Sequence, residues 1–196
     1  LTLRKLLNNF LEFRENTILL RSNYLLKNIK NRQEIVEALK KQSCKSETIN
    51  SKHNNIISVV KENDELGFVG TPTKIDKNII DKIVNDKKVP VIAPLGLDES
   101  NQTYNINADT VAGSIAKKIE ARRLIIMSDV EGVLDNNQKL IPEINSTSIK
   151  ELIENETITG GMIPKINNCL DVASNGVKGV VIIDGRKNHS ILFELL

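Results

Sequence analysis

Little in this sequence invites a nucleic acid, a membrane or a protein-built metal cage. Tryptophan is absent, aromatics make up 3% of the 196 residues, and the acidic and basic side chains nearly cancel to leave a net charge of +2. No basic block with interleaved aromatics exists to grip a phosphate backbone, so nucleic-acid and membrane-surface partners are not expected. No apolar run approaches the roughly 18 residues of a membrane span, and the N-terminus lacks a signal-peptide apolar region followed by a cleavage site. A soluble, cytoplasmic protein is the expectation. The two cysteines, Cys44 and Cys169, lie far apart without metal-ligand spacing. They read as buried thiols in a reducing compartment, with a disulfide as the alternative. The chain begins at Leu1 rather than Met, which is open to reading as a fragment or an alternative start. Repeats and low-complexity tracts are lacking too.

What is present is an ordinary globular balance, 40% apolar and 27% charged, arranged in alternating periodicities. Apolar residues at steps of three and four predict helices over Leu3–Phe13, 31–39, 75–84 and 109–121, near 147–155 and 161–174, and from Asn188 onward. Short apolar runs predict strands at 17–20, 89–93, 124–127 and 179–183, with a further short strand through Asp135. The strand at 89–93 is expected to stop at Pro94-Leu95-Gly96, where Gly96 opens a polar loop to Tyr104. This alternation predicts an α/β fold, a three-layer αβα sandwich around a mostly parallel sheet. Arg21-Ser22, Pro94-Leu95-Gly96, Ser128-Asp129 and Asp184-Gly185 follow the carboxyl ends of strands, the edge where open parallel sheets bind ligands.

Two segments concentrate polar chemistry at helix starts. Tyr104-Asn105-Ile106-Asn107-Ala108-Asp109 places two amides and a carboxylate at the mouth of a helix, where an Asn can cap free N–H groups and Asp109 can sit at the positive end of the dipole. Thr159-Gly160-Gly161-Met162-Ile163-Pro164-Lys165 opens another helix with two glycines and a lysine. Backbone N–H groups, dipole and ammonium together suit a phosphate. Taken singly, each segment also reads as a plain capped amphipathic helix. Asp129 at a strand end and Asp184-Gly185-Arg186 read equally well as turns. His53 is a lone histidine without a visible partner and reads as a turn or surface group.

The motifs YNINAD, ADTVAGSIA, SDVEGVLD at 128–135, ITGGMIPK at 158–165 and IIDGR at 182–186 resemble the N-acetylglutamate kinases of the amino acid kinase family, in order from about Leu66 to Leu196. The resemblance implies transfer of the ATP γ-phosphoryl group to the side-chain carboxylate of N-acetyl-L-glutamate, the second step of arginine biosynthesis, with Mg2+ accompanying the nucleotide. It implies that Lys165 contacts the transferring phosphoryl group, that Gly160 and Gly161 shape its loop, and that Asp109 orients the catalytic lysines. Asn105 matches a residue that hydrogen-bonds N-acetylglutamate, Asp129 a nucleotide-side residue, and Asn107 supports the turn. A homo-oligomer is the expected assembly.

The front of the chain departs from that pattern. Where the resemblance implies a lysine and a glycine pair after the first strand, this chain has Arg21-Ser22-Asn23-Tyr24, and Arg does not replace Lys neutrally. The resemblance also implies a second glycine loop and a carboxylate-gripping arginine, but here Leu25-Leu26-Lys27-Asn28-Ile29-Lys30 runs straight into the helix at Asn31, an implied loss of about sixty residues, or roughly half of a small domain. The resemblance further implies a closing C-terminal strand after the last helix, which the sequence to Leu196 does not reach. The implied division is a shortened acyl-substrate lobe over 1–88 and a nucleotide-binding region over 89–196. Three readings therefore stay open: an acetylglutamate kinase that turns over, a nucleotide-binding remnant or regulatory homologue without catalysis, and the same fold acting on another acyl acceptor.

Overall fold

The computed structural model describes residues 17–21 and 29–195. The chain runs β1 (Thr17–Arg21), α1 (Ile29–Lys41), β2 (Ser46–Ile49), β3 (Ile57–Lys61), β4 (Gly70–Ile75), α2 (Lys77–Asn85), β5 (Val89–Ile92), β6 (Leu95–Leu97), β7 (Thr103–Asn105), α3 (Ala108–Lys118), β8 (Arg123–Ser128), α4 (Ser146–Glu154), α5 (Met162–Ser174), β9 (Gly179–Asp184) and α6 (Ser190–Leu195). The helix predicted over Leu3–Phe13 and the Ser22-Asn23-Tyr24 stretch lie outside the described residues.

The α/β alternation is as expected, and the strands fall into three sheets ordered β1-β8-β9, β2-β5 and β4-β3-β6-β7. The first two are wholly parallel. In the third, β3 and β6 run parallel while β3–β4 and β6–β7 are antiparallel pairs. Strands before and after residue 88 share sheets, since β2 pairs with β5 and β3 with β6. Leu124, Ile125 and Ile126 of β8 are completely buried, as a central parallel strand covered on both faces requires.

Two expectations are corrected. The segment after Pro94 is a hairpin, with Leu95 opposite Asn105 and Leu97 opposite Thr103, and not an open loop. Gly96 permits it: a Cβ there would stand 2.4 Å from Val59 Cγ1, so only a bare backbone lets β6 lie beside β3. The loop is closed by Asp98, whose Oδ1 accepts from the N–H groups of Ser100 and Gln102, each at 2.9 Å. Residues 128–135 hold no strand beyond β8. Leu134 makes only an isolated bridge to Leu140, and Asp135 caps the intervening turn by accepting from Asn137 and Lys139 N–H at 2.8 Å.

The starts of α2, α3 and α4 carry side-chain caps. Asp76 accepts from Asn78 N–H at 3.0 Å and so starts α2 two residues later than the apolar spacing implies. Asn145 and Ser148 form a reciprocal capping box at α4. The central helix is α3. Val111 and Ile115 on one side join a core with Ile49, Ile57, Ile75, Ile80 and Ile106. On the other side Ala112 and Ala116 pack with Leu124, Ile126 and Val172. Each valine, leucine or isoleucine so buried contributes about 1.5–3 kcal/mol, which fixes α3 against rotation. A third core around Val133, Ile149, Ile158 and Ile166 supports the start of α5.

Candidate active site

The site grows from the start of α3. Asn107, the residue before it, accepts from Asp109 N–H at 2.9 Å and Thr110 N–H at 3.2 Å, supplying an acceptor for donors that a helix leaves unpaired. Asp109 then enters the first turn with only 8% of its surface exposed. A carboxylate that is so buried needs a partner. Its partner is Lys165, which lies 56 residues later and places Nζ 2.5 Å from Asp109 Oδ2.

Lys165 is delivered by the first turn of α5, following Gly160 and Gly161. Gly160 has a φ of +53°, a conformation that suits glycine, and a Cβ on either glycine would meet nothing within 4 Å. The space before this turn is therefore open, and backbone can come close to a bound group there.

The two helices run in the same direction. Asp109 and Lys165 join their starts, whereas Lys117, in the last turn of α3, reaches Asp171 of α5 at 2.5 Å. Both positive dipole ends consequently face one region beside an ammonium. Such an array favours an anion, and it fits the phosphates of a nucleotide.

Between the two ion pairs the helices nearly touch. A Cβ at Gly113 would stand 2.6 Å from Val172 Cγ2 and 2.8 Å from Asn168 Oδ1. Asn168 Nδ2 donates to the Asp109 carbonyl at 2.8 Å. One turn beyond Lys165, burial pushes the Cys169 thiol up to about 11, with the nearby Asp109 charge acting in the same direction. Both cysteines are free thiols, and burial also raises Cys44.

A second polar group lies at the carboxyl ends of β8 and β9, where Ser128 and Asp184 are register partners. Asp184 is 6% exposed and accepts from Arg186 Nε, Arg186 NH2 and the Arg186 backbone N–H, each at 2.9 Å. Those bonds hold its carboxyl down at about 2. Asp129 is exposed at this edge and adds to the field that stabilises the Arg186 cation, behind the larger effect of Asp184. Lys187 pairs with Glu131 at 2.6 Å. Sequence reading treats Asp184-Gly185-Arg186 as a turn, and it is a turn that also pairs a buried carboxylate with an exposed guanidinium.

Of the residues singled out from sequence, Asp109, Lys165, Gly160 and Gly161 are gathered at the two helix starts. Asn105 is half-buried at the end of β7, held through its backbone N–H to Phe68 O at 2.8 Å. No hydrogen bond or ion pair among the described residues joins Asn105 or Asp129 to the Asp109–Lys165 pair. His53 is exposed in a turn, its N–H bonded to Asn50 Oδ1 at 3.0 Å and its ring near Asn54. Asn168 escaped sequence reading because an Asn in mid-helix resembles any solvated position.

Known proteins resemble this chain in sequence and in fold. The chain is 70% identical over 164 residues to the acetylglutamate kinase of Pelagibacter ubique, covering 84% of this chain and 57% of that one. It is 50% identical over 131 residues to the acetylglutamate kinase of Granulibacter bethesdensis, with coverages of 67% and 44%. The chain thus spans about half the length of these curated relatives. Among solved structures, smu.665 from Streptococcus mutans superposes with a TM-score of 0.71 at 31% identity, over 78% of this chain and 62% of that one. The sequence profile of the amino acid kinase family matches residues 26–184. With that match spanning β2 to β9 and both helix starts, the chain belongs to the amino acid kinase family.

Proposed function

We propose that the chain transfers the γ-phosphoryl group of ATP to the side-chain carboxylate of N-acetyl-L-glutamate, giving ADP and N-acetyl-L-glutamyl 5-phosphate, a step of arginine biosynthesis in the cytoplasm. The observation that carries this reading is the Lys165–Asp109 pair, 2.5 Å apart with each side chain 11% exposed, where two helix starts converge. The acceptor is supported by 70% identity to an acetylglutamate kinase.

In this reading an acceptor carboxylate oxygen forms a bond to the γ-phosphorus as the bond to the β-phosphate oxygen breaks. The acceptor is already ionised at neutral pH, so the protein needs no general base. Its task is alignment and neutralisation of charge. Lys165 holds its ammonium against the transferring group, and Asp109 aims that ammonium. Gly160 and Gly161 let backbone approach the phosphates. Asn105 bonds the acetylated substrate and Asp129 lines the nucleotide side.

Among the described residues no cluster of three or more His, Cys, Asp or Glu side chains could hold a metal. Magnesium fits as an ion carried on the nucleotide phosphates, where it supplies positive charge. Residues 1–88 serve as the acyl-substrate side and 89–196 as the nucleotide side of a homo-oligomer.

The test is ADP release from Mg-ATP with and without N-acetyl-L-glutamate, beside Lys165→Ala. Release that depends on the acetylated substrate and falls on the order of a hundredfold to a thousandfold in the variant supports the reading. The end of β1 carries Arg21 where the resemblance implies a lysine, which favours a second reading as a nucleotide-binding homologue. Binding of ATP analogues without any release would select that reading.

A further inference from the structure

We infer that Asn168 is a positioning residue, fixing the height of α5 against α3 so that Lys165 meets Asp109. The inference rests on the phosphoryl-transfer reading for its consequence in catalysis, though its geometry does not. Lys165 is a long, flexible side chain, and its ammonium is held only as well as the two backbones that carry it and its partner. The side-chain pair alone leaves the helices free to slide, because both ends of that bridge can re-extend. Asn168 instead bonds to backbone: its Nδ2 donates to the main-chain carbonyl of Asp109 at 2.8 Å.

That bond ties α5 to the very residue whose carboxylate receives Lys165. Lys165 and Asn168 stand three positions apart, so both project from one side of α5, and both end on Asp109. Gly113 completes the device. It is the position on α3 one turn beyond Asp109, and its lack of a side chain leaves the space that Asn168 Oδ1 and Val172 Cγ2 occupy. An alanine at 168 would fill less volume and donate nothing. An aspartate would fill the same volume but present an acceptor to an acceptor.

The Asn168→Asp variant therefore separates bonding from packing. Two readouts are taken on the full chain: the rate at which an amine-acylating reagent modifies Lys165, read by peptide mass spectrometry, and kcat and KM for N-acetylglutamate-dependent ADP release. Lys117, paired with Asp171 in the same helix contact, is the internal control.

The expected result is that Lys165, 11% exposed in its pair, acylates severalfold faster in Asn168→Asp, while Lys117, already 32% exposed in its own, rises clearly less. Turnover then falls in kcat by about tenfold to a hundredfold, the scale of a 1 Å misplacement, with KM for ATP little changed. As the pH falls and the new carboxyl protonates, its O–H can again donate to the Asp109 carbonyl, so the ratio of variant to wild-type kcat should rise. An unchanged Lys165 rate overturns the inference, as does an equal rise at Lys117, which would mean general loosening of the helices. If the wild-type chain shows no turnover, the phosphoryl-transfer reading fails by itself and the acylation rates still decide the role of Asn168.

Discussion

Lys117 and Asp171 form a 2.5 Å ion pair that mirrors the Lys165–Asp109 pair with the signs exchanged between helices: α3 carries the acid at its start and the base at its end. Each α3 charge thereby opposes its own helix dipole. Lys165 has no such benefit, since a cation near a helix start is disfavoured, and it depends on Asp109 to remain there. Lys165→Met should accordingly cost stability as well as activity. It leaves Asp109 buried and unpaired, and the expected loss is about 3 kcal/mol. Asp109→Asn combined with Lys165→Met should recover much of that loss, and equilibrium urea unfolding of the two variants measures the difference.

Gly113→Ala sets two effects against each other. Alanine raises helix propensity by about 1 kcal/mol over glycine, yet its Cβ would stand 2.6 Å from Val172 Cγ2. Overpacking of that kind costs about 1–3 kcal/mol, so the variant should be destabilised overall. Adding Val172→Ala should make the Gly113 substitution less costly than it is in the wild-type background. Denaturant midpoints across this cycle provide the check, and additivity would count against a steric origin.

The two adjacent glycines should behave differently. Gly160 has a φ of +53°, while Gly161 sits at a φ of −65° with open space around it. Gly160→Ala is expected to cost about 1 kcal/mol of backbone strain, whereas Gly161→Ala should leave folding stability within about 0.5 kcal/mol of wild type. Both remove room for backbone approach, so both should raise KM for ATP if the phosphates bind there. Thermal melts and steady-state kinetics on the pair separate the two contributions.

Asp184 gives the acid limb of stability a recognisable group. Its folded pKa of about 2 lies below the ordinary value of 3.8, chiefly through its bonds from Arg186. A depressed carboxyl stabilises the fold above its unfolded value, and that contribution disappears as the pH drops from about 4 toward 2. Arg186→Met removes the cation, so its acid-unfolding midpoint should move upward relative to wild type. Circular dichroism between pH 5 and pH 2, read as order-of-magnitude limits for carboxylate titration, detects it.

Neither thiol should react in the folded protein. Cys169 is raised to about 11 and Cys44 is raised by burial, and the thiolate is the nucleophile. Alkylation at pH 8 should be slow until denaturant is added, a pH chosen as roughly that of free thiols. A fast native phase would contradict the raised thiols described for buried Cys44 and half-buried Cys169.

Both helix starts of the site were legible because local chemistry announces them: Asn107 before an apolar stripe for α3, and two glycines before another for α5. The β6–β7 hairpin was not. Three-residue strands beginning next to Pro94 leave too short a pattern, and the pairing depends on Gly96 fitting against Val59 of a distant strand. Asn168 was hidden for a related reason. Its significance is set by Asp109, 59 residues away, and nothing in the neighbouring Asn167 or Cys169 distinguishes it from a solvent-facing amide. Local signals found where the site begins, and long-range packing decides how its parts are held.

Asp109, Gly113 and Lys117 follow one another at intervals of four, and each meets α5. Inserting or deleting one residue within α3 would turn everything beyond it by about 100° and detach the later members from their partners together. Changes of length should therefore be confined to connections such as 129–145, while residues 108–118 and 162–174 keep a fixed reading frame in space. The spacing of the contacts makes chain length itself a property on which this site depends.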